Sequence, residues 1–498
     1  MVIENMSFPK FMVGFEEALK NIFSDEHIHK LSMAGGLPSL IKTEIMPLRP
    51  LDIAIPKEYG GLGGKVKEFL AMLSAASYES LPLSLAMGIN IGLFIEPVLK
   101  YASADVKGPI FDRFIKEQSL GGMMITEPNH GSNALHMQTS HIAHPGFYEV
   151  KGTKHWQGLT GLADFWLIAS RNKTAAGDLG RDVDFFICDV HKEKQAIKVV
   201  EYYDTPGLHM IPYGRNELDL QIPKEFKLRH ETSGVKMMLD ILHRSRMQFP
   251  AMGMGFIKRM LDEAIDHCKN RMVGGSSLLA MDHIQYQLAT IQSAYTMCSA
   301  MCIRSCKVSS IDHNLAGEGF EANSMKTVVS DLMQESAQLL VQMSGASGYK
   351  ASHIGGRGIM DSRPFQIFEG SNEMLYTQIG DMACRMMKKQ EENNLFAFLK
   401  LNTLTQKASP YFKKELSFTI DQSLSHRKLV DLGKIISRII CLGHVIDAGE
   451  NGFRSDLVTN CISTVKQQVA KLICSLGSDN QADAIYNYEE DSYWLNFA

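Results

Sequence analysis

The first 120 residues place apolar side chains three or four positions apart, which is the period of an amphipathic helix. This pattern predicts helices over 11–22, 65–78, 83–101 and 109–117, with short polar breaks between them. We therefore predict an N-terminal helical domain over residues 1–120.

The pattern changes from residue 121 onward. Short runs rich in valine, isoleucine, tyrosine and phenylalanine are separated by turn residues, which is typical of β-strands. The clearest runs predict strands at 147–150, 165–169, 185–190 and 197–202. We interpret residues 121–228 as a small antiparallel barrel or sandwich.

The helical period returns over residues 229–389, in segments long enough to form an antiparallel bundle. Residues 390–498 form a further section whose pattern is again helical. The predicted helices of these two sections are 256–271, 285–307, 324–344, 428–448 and 456–476. The predicted fold class is mainly α with a β insert, in which an N-terminal helical domain, a central β domain and a helical bundle precede an additional C-terminal helical domain.

Composition narrows the classes of partner and compartment. The 498 residues carry 51 basic and 55 acidic side chains, a net charge of -4, which is too balanced for a groove that binds nucleic acid. The nine cysteines are scattered, as in proteins of reducing compartments. We find neither a signal-like start nor an uninterrupted apolar run of roughly 18 residues. We predict a cytoplasmic protein with no transmembrane segment and no nucleic-acid partner.

The sequence offers weak candidates for a metal site. Cys298, Cys302 and Cys306 recur every four residues on one helical stripe, but small apolar thiols in a packed helix explain this spacing better than metal ligands do. Solvated or hydrogen-bonded side chains are also the better interpretation of two histidine pairs, His27 with His29 and His141 with His144. We predict no metal site.

The strongest candidate for chemistry is Glu369, which lies in an apolar run and directly precedes a glycine. A carboxylate among apolar side chains is desolvated, which raises its pKa and makes it a stronger base toward a carbon acid. The alternative interpretation is a carboxylate that only interacts with the dipole at a helix start. This segment alone does not decide between them.

Four segments, in the order in which they occur, resemble motifs of the acyl-CoA dehydrogenase family. They are Ile-Pro-Lys-Glu-Tyr-Gly-Gly-Leu-Gly at 55–63, Ile-Thr-Glu-Pro-Asn-His-Gly-Ser-Asn at 125–133, Lys-Gly-Thr-Lys-His-Trp at 151–156 and Phe-Glu-Gly-Ser-Asn-Glu at 368–373. The resemblance covers most of residues 30–390. The section beyond residue 390 resembles the extra helical domain of the longer members.

The resemblance implies FAD as the cofactor. The positions that match flavin-binding residues of the family are Ile125, Thr126, Ser132, Trp156, Gly158, Arg271, Gln342, Gly345, Ser371 and Glu373. In relatives, the contacts at the position of Arg271 come from a neighbouring subunit. The resemblance therefore also implies a homodimer or a homotetramer.

The implied reaction is the α,β-dehydrogenation of an acyl thioester, from acyl-CoA to 2-enoyl-CoA. Glu369 matches the base that removes the proton, and Ser132, Arg246 and Gly370 match substrate-binding positions. The resemblance further implies that the backbone N–H of Glu369 and a ribityl hydroxyl of the cofactor polarise the thioester, and that an electron-transfer flavoprotein accepts the electrons. Some members carry the base just before the matched arginine, and serine at position 245 cannot serve in that role.

Several positions depart from the family pattern. Gly158 replaces a threonine, and His243 and Asp381 replace an aspartate and an arginine that contact CoA in relatives. Losing a cation where a phosphorylated carrier docks weakens the case for CoA. Two alternatives therefore stay open, which are an acyl-carrier-protein dehydrogenase of a biosynthetic pathway and a flavin-binding interaction protein without catalysis.

Overall fold

The computed structural model describes residues 7–24, 33, 35–420, 423–478 and 482–498. His27 and His29 lie outside the described residues. The helices are α1 Phe8–Ile22, α2 Val66–Glu79, α3 Leu81–Asn90, α4 Glu96–Tyr101, α5 Ala104–Glu117, α6 Gly234–Arg246, α7 Phe249–Asn270, α8 Asp282–Val308, α9 Gly319–Ser344, α10 Ile354–Ser362, α11 Asn372–Lys389, α12 Leu395–Leu401, α13 Lys413–Leu416, α14 His426–Glu450 and α15 Ser455–Leu476.

The predicted helix at 83–101 is α3 and α4 joined by one wider π-helical turn, Ile91–Ile95. The turn ends just before Pro97, which has no N–H to donate to an ordinary helical bond. The whole stretch, Leu81–Tyr101, is long and apolar enough to cross a membrane by length and composition, but 94% of its most apolar window is buried inside the fold. In this protein the stretch is a core helix.

A curled, seven-stranded sheet lies between the helical parts. Its strands are β1 Gly121–Met124, β2 Ser140–Ala143, β3 Phe147–His155, β4 Phe165–Asn172, β5 Asp184–Asp189, β6 Lys198–Tyr202 and β7 Gly214–Pro223. They follow the order β1-β4-β2-β3-β7-β6, and β5 pairs with β4. Most pairings are antiparallel, as the sequence predicts, whereas β4 pairs in parallel with β1 and with β2.

Strand β7 was not among the predicted strands, although it is the longest of the sheet. Its alternation of buried and more exposed positions is visible in the sequence Asn-Glu-Leu-Asp-Leu-Gln-Ile, but the outward positions carry charged and amide side chains instead of β-branched ones. Nine of its residues, Arg215 to Pro223, pair with β3. In the sheet, β7 lies between β3 and the edge strand β6.

Helices α7, α8 and α9 form the bundle, and α2 packs across α7. The approach of α2 is close, because a side-chain carbon on Gly255 would lie 2.0 Å from the carbonyl oxygen of Ser74. In the C-terminal section, α14 packs on α9 and α11, and α15 packs on α8. The predicted fold class is confirmed. The residue boundaries 120, 228 and 389 stay predictions.

Candidate active site

A cavity of about 230 Å³ lies where the β domain meets the bundle. Its apolar wall comes mainly from the core helix and α6, and its polar residues come from the β domain and from the turn before α11. The lining includes Leu85, Ile89, Leu93, Met123, Ile125, Thr126, Ser132, Trp156, Gly158, Tyr213, Leu242, Arg246, Glu369, Gly370 and Met374. The structure thus brings together eight of the residues predicted for the site.

Glu369 lies in a turn of five residues, 367–371, between the short helical turn Arg363–Gln366 and α11. Its φ of 53° and the φ of 94° at Gly370 are both in the left-handed region, which is uncommon for a residue with a side chain. Buried Arg246, at the end of α6, donates to the Glu369 carbonyl oxygen from Nη2 at 2.6 Å and from Nε at 3.2 Å. This guanidinium therefore holds the backbone of the turn and not its carboxylate.

The carboxylate of Glu369 has one hydrogen-bond donor and one free oxygen. Ser245 Oγ donates to Oε1 at 2.7 Å, while Oε2 is buried and has no hydrogen-bond partner among the described residues. Burial raises the pKa of Glu369, and Arg246, Ser245 and Lys326 partly offset that effect. A free, desolvated carboxylate oxygen in a cavity wall is suited to take a proton from a bound carbon acid.

The segment that carries Thr126 is fixed from behind by a buried ion pair. Lys154 Nζ donates to Glu127 Oε1 at 2.8 Å and to the carbonyl oxygen of Ile125 at 2.9 Å. The backbone N–H groups of Gln138 and Thr139 also donate to the Glu127 carboxylate. Glu127 is therefore an orienting residue and does not line the cavity.

Trp156 forms one side of the cavity and is unusually exposed for its size. Its side chain is 52% exposed, its φ is 61°, and its ring lies 4.4 Å from the ring of Tyr203. An indole ring fixed at the mouth of a cavity is a suitable flat wall for an aromatic ligand. The predicted role of Trp156 fits this placement.

Five of the predicted cofactor residues are not in the cavity wall. They are Arg271, Gln342, Gly345, Ser371 and Glu373, of which all but Ser371 are exposed. The ends of α7 and α9 adjoin, since Cys268 Sγ lies 3.8 Å from Met343 Sδ, so the first three lie at one end of the bundle. Their roles in binding the cofactor stay predictions.

Two departures from the family pattern have clear placements. His243 is buried and lies 2.7 Å from the carbonyl oxygen of Leu315 through Nδ1, and burial lowers its pKa to about 4. Asp381 pairs with Arg385 one helical turn later. Neither side chain lines the cavity.

The residues of the site fit a flavin and an acyl group. One wall offers polar residues at Thr126 and Ser132 beside the Trp156 ring, and another offers the partnerless oxygen of Glu369. A flavin ring requires such hydrogen-bonding groups along its edge and an apolar or aromatic face. Within the described chain, no group of three or more His, Cys, Asp or Glu is arranged to hold a metal ion.

Sequence reasoning missed two side chains that support this site. The sequence excludes Ser245 as the catalytic base but does not indicate that its hydroxyl donates to the Glu369 carboxylate. Lys326 is fully buried and donates to the carbonyl oxygen of Gly370 at 2.8 Å. A lone lysine among small and apolar residues in the middle of α9 was the signal that could have identified it.

Three family models match successive parts of the chain. The N-terminal domain of acyl-CoA dehydrogenase matches residues 23–118, its middle domain matches 122–220, and its C-terminal domain matches 232–383. Together they cover well over half of the chain, in the order of the fold.

Among curated proteins, an acyl-CoA dehydrogenase of Bacillus subtilis is 25% identical over 330 residues, which are 65% of this chain and 84% of that protein. The very long-chain specific acyl-CoA dehydrogenase of mouse mitochondria is 24% identical over 361 residues, or 70% of this chain. The match spans about half, 53%, of the mouse protein.

Two solved structures are similar in fold. An acyl-CoA dehydrogenase complexed with FAD from Bacillus anthracis has a TM-score of 0.75 at 18% identity, and the match covers 96% of this chain and 88% of that one. The prolyl acyl carrier protein oxidase AnaB has a TM-score of 0.68 at 16% identity, with 76% and 99% covered. At these identities the likeness concerns the fold alone.

Proposed function

This chain belongs to the acyl-CoA dehydrogenase family of FAD-dependent oxidoreductases, and from that premise we propose that it dehydrogenates an acyl thioester between its α and β carbons. Glu369 removes the α-proton. FAD, when bound, supplies the acceptor for the hydride that leaves the β carbon. Ile125, Thr126, Ser132, Trp156 and Gly158 would hold the flavin ring.

The observation that carries the proposal is the free oxygen of Glu369. The carboxylate lines the cavity, one oxygen accepts from Ser245, and the other has no partner among the described residues. The ionised form is destabilised by burial, so proton uptake is favoured. The charge of Arg246, the hydrogen bond from Ser245 and the charge of Lys326 act in the opposite direction and limit this rise in pKa.

The backbone of the same turn also has a role. Because Arg246 binds the carbonyl oxygen of Glu369, it fixes the peptide unit between Glu369 and Gly370, which is next to the unit that carries the Glu369 N–H. We propose that the Glu369 N–H donates to the thioester oxygen and stabilises the enolate that forms when the proton leaves. A fixed donor of this kind contributes about 3 kcal/mol to such a step.

Glu369→Gln tests the proposal directly. The amide keeps the shape of the side chain but cannot accept the α-proton, so the purified variant should bind yellow flavin and fail to bleach anaerobically with acyl thioesters. The measurement is the absorbance of the flavin band after mixing with a panel of acyl-CoA thioesters.

Glu117→Gln is the matched control, since Glu117 is an exposed glutamate on α5, does not line the cavity and has no predicted role in the site. That variant should bleach as the wild type does, provided that flavin is bound to the same extent. Normal bleaching by Glu369→Gln would falsify the assignment of the base.

A second candidate concerns the carrier of the acyl group. The position at which relatives place a CoA-binding arginine is Asp381 here, and it is already paired with Arg385. We propose an acyl-CoA as the substrate and keep an acyl group on a carrier protein as the alternative. Comparing bleaching by one acyl group on CoA, on pantetheine and on a carrier protein decides between them.

We further propose an electron-transfer flavoprotein as the acceptor and a homodimer or homotetramer as the assembly. The exposure of Arg271, Gln342 and Gly345 at one end of the bundle supports a cofactor site that is shared with a neighbouring subunit. A dye-linked assay compared with an electron-transfer flavoprotein assay, and light scattering of the purified protein, test these two proposals.

A further inference from the structure

Lys326 is a fully buried cation in the middle of α9, directly behind the turn that carries Glu369. A charged amine without exposure to water costs several kcal/mol unless it is well paired. Its two acceptors are the Gly370 carbonyl oxygen at 2.8 Å and Asn372 Oδ1 at 3.0 Å, both neutral groups. The burial of Lys326 therefore lowers the free energy of unfolding, and its hydrogen bonds go to the turn and to the start of α11.

The two buried cations act on consecutive carbonyl groups. Arg246 binds the carbonyl oxygen of Glu369, and Lys326 binds that of Gly370. Both residues have left-handed backbone, a conformation that costs about 1 kcal/mol or more for Glu369 because it carries a side chain. The hydrogen bonds from the two cations to these carbonyl oxygens offset that cost and hold the turn in one conformation.

A buried network fixes Lys326 in turn. Asn372 Nδ2 donates to Asp331 Oδ1 at 2.7 Å, and Tyr376 Oη donates to Asp331 Oδ2 at 2.7 Å. Because the Nδ2 of Asn372 is bound to Asp331, its Oδ1 points toward the lysine. The network joins α9 to the first two turns of α11, so the ammonium group has little freedom to move.

We propose that Lys326 is a positioning residue for the catalytic carboxylate, which holds the Gly370 carbonyl and, together with Arg246, fixes the turn from which Glu369 acts. This inference rests on the proposed function of Glu369. It assigns to Lys326 no proton transfer and no contact with substrate.

The charges around the lysine set its electrostatic effect. Burial and the charge of Arg246 lower the pKa of Lys326 to about 7, while Glu369, Asp331 and Glu373 act in the opposite direction. In its charged form Lys326 favours the ionised form of Glu369. Removing the charge should therefore raise the pKa of Glu369.

Two variants separate the hydrogen bond from the charge. Lys326→Met removes both, and Lys326→Gln keeps a donor but no charge. Lys307→Met is the matched control, since Lys307 is half exposed and pairs with Asp447 on the surface of the bundle. Each variant is prepared as the full-length, flavin-containing protein, and its helix content is checked by circular dichroism.

The first readout is hydrogen–deuterium exchange of peptides that cover 363–376. Exchange at the turn should be about tenfold faster or more in Lys326→Met, intermediate in Lys326→Gln and unchanged in Lys307→Met, because a charged, buried hydrogen bond is lost. This measurement does not depend on catalysis.

The second readout is the pH profile of anaerobic flavin reduction by substrate. Lys326→Met should lower the maximal rate about tenfold, and Lys326→Gln should regain part of it, with KM little changed. In both variants the rising limb of the profile should shift to higher pH by about half a unit, because loss of the Lys326 charge raises the pKa of Glu369.

The inference would be overturned if Lys326→Met matched the wild type in hydrogen–deuterium exchange at the turn, in maximal rate and in pH profile. If Lys326→Met does not fold, the rising limb and exchange of Lys326→Gln decide in its place. Bleaching by Glu369→Gln would refute the proposed base alone, because faster exchange at the turn in Lys326→Met would still be observed.

Discussion

At the scale of single residues, Gly158 shows how a missing side chain shapes the cavity. A Cβ at this position would lie 2.9 Å from Ile89 Cδ1 and 3.1 Å from Ile211 Cγ2. Two isoleucines thus fill the space that a side chain at position 158 would need. The departure from the family pattern is compensated by apolar packing and leaves the polar edge of the cavity to Thr126 and Ser132.

Gly158→Thr restores the residue of the family and should nevertheless impair the protein. Overpacking of this kind costs about 1–3 kcal/mol, so we expect a lower urea midpoint and less bound flavin per chain. Adding Ile89→Ala should recover part of both, because it removes the nearest clashing atom. A fully stable Gly158→Thr protein with normal flavin content would contradict this account of the wall.

The site was predictable from the sequence where chemistry coincides with a motif. Glu369, Thr126 and Trp156 stand in recognisable runs, and the structure places all three around one cavity. Ser245 and Lys326 were not predictable in the same way. Their roles depend on contacts across 124 and 44 residues of chain, which no local pattern records.

At the scale of elements, Gly433 is the point at which α14 meets α11. A Cβ on Gly433 would lie 2.0 Å from the carbonyl oxygen of Tyr376, so only a glycine permits this approach of the two backbones. Tyr376 is also the residue that donates to Asp331 in the network behind Lys326. The C-terminal section therefore supports α11 directly beside the catalytic turn.

Gly433→Ala should push α14 away from α11, because a backbone atom cannot yield as the end of a side chain can. We expect a loss of about 2–3 kcal/mol in the free energy of unfolding and slower flavin reduction. Gly14→Ala is the control, since nothing lies within 4 Å of a Cβ at that helical position. Equal stability of the two variants would show that the approach is not tight.

Periodicity predicted the long elements well and the irregular ones poorly. The helices α1, α8, α9, α14 and α15 lie where the apolar spacing placed them, within a few residues at each end. The π turn at Ile91–Ile95 was not predictable, because apolar residues on every side of a buried helix leave no stripe to follow. Strand β7 was missed because its outward residues are polar.

At the scale of the whole molecule, a buried acid joins the bundle to the C-terminal section. Glu321 of α9 accepts from Arg304 of α8 at 2.7 Å and lies 3.1 Å from His444 Nε2 of α14. Burial raises the pKa of Glu321, but the neighbouring His444 and Arg304 outweigh that effect and lower the pKa from 4.5 to about 2. Three helices of two sections thus depend on one carboxylate.

Glu321→Gln should destabilise the protein by about 3 kcal/mol at pH 7, the free energy that corresponds to the lowered pKa. Because the folded-state pKa is depressed, this contribution is present above pH 4.5 and is lost as pH falls toward 2. Urea unfolding at pH 7 and at pH 3 measures the change. Wild type and variant should differ less at pH 3.

Glu117→Gln is the control for this experiment, since Glu117 is 59% exposed in its pair with Arg113 and exposed pairs contribute little. It should change stability by less than about 1 kcal/mol at either pH. A constant difference between Glu321→Gln and wild type from pH 7 to pH 3 would rule out the linkage.

The burial of Leu81–Tyr101 has a consequence for synthesis on the ribosome. Gly88 and Gly92 of this stretch pack against Met252 and Gln248, which are translated about 160 residues later. At ordinary elongation rates that delay lasts on the order of ten to thirty seconds. During this time the apolar segment can leave the ribosome before the helix that will bury it has been made. A holding chaperone would find its preferred target there, and low-temperature expression should favour soluble yield.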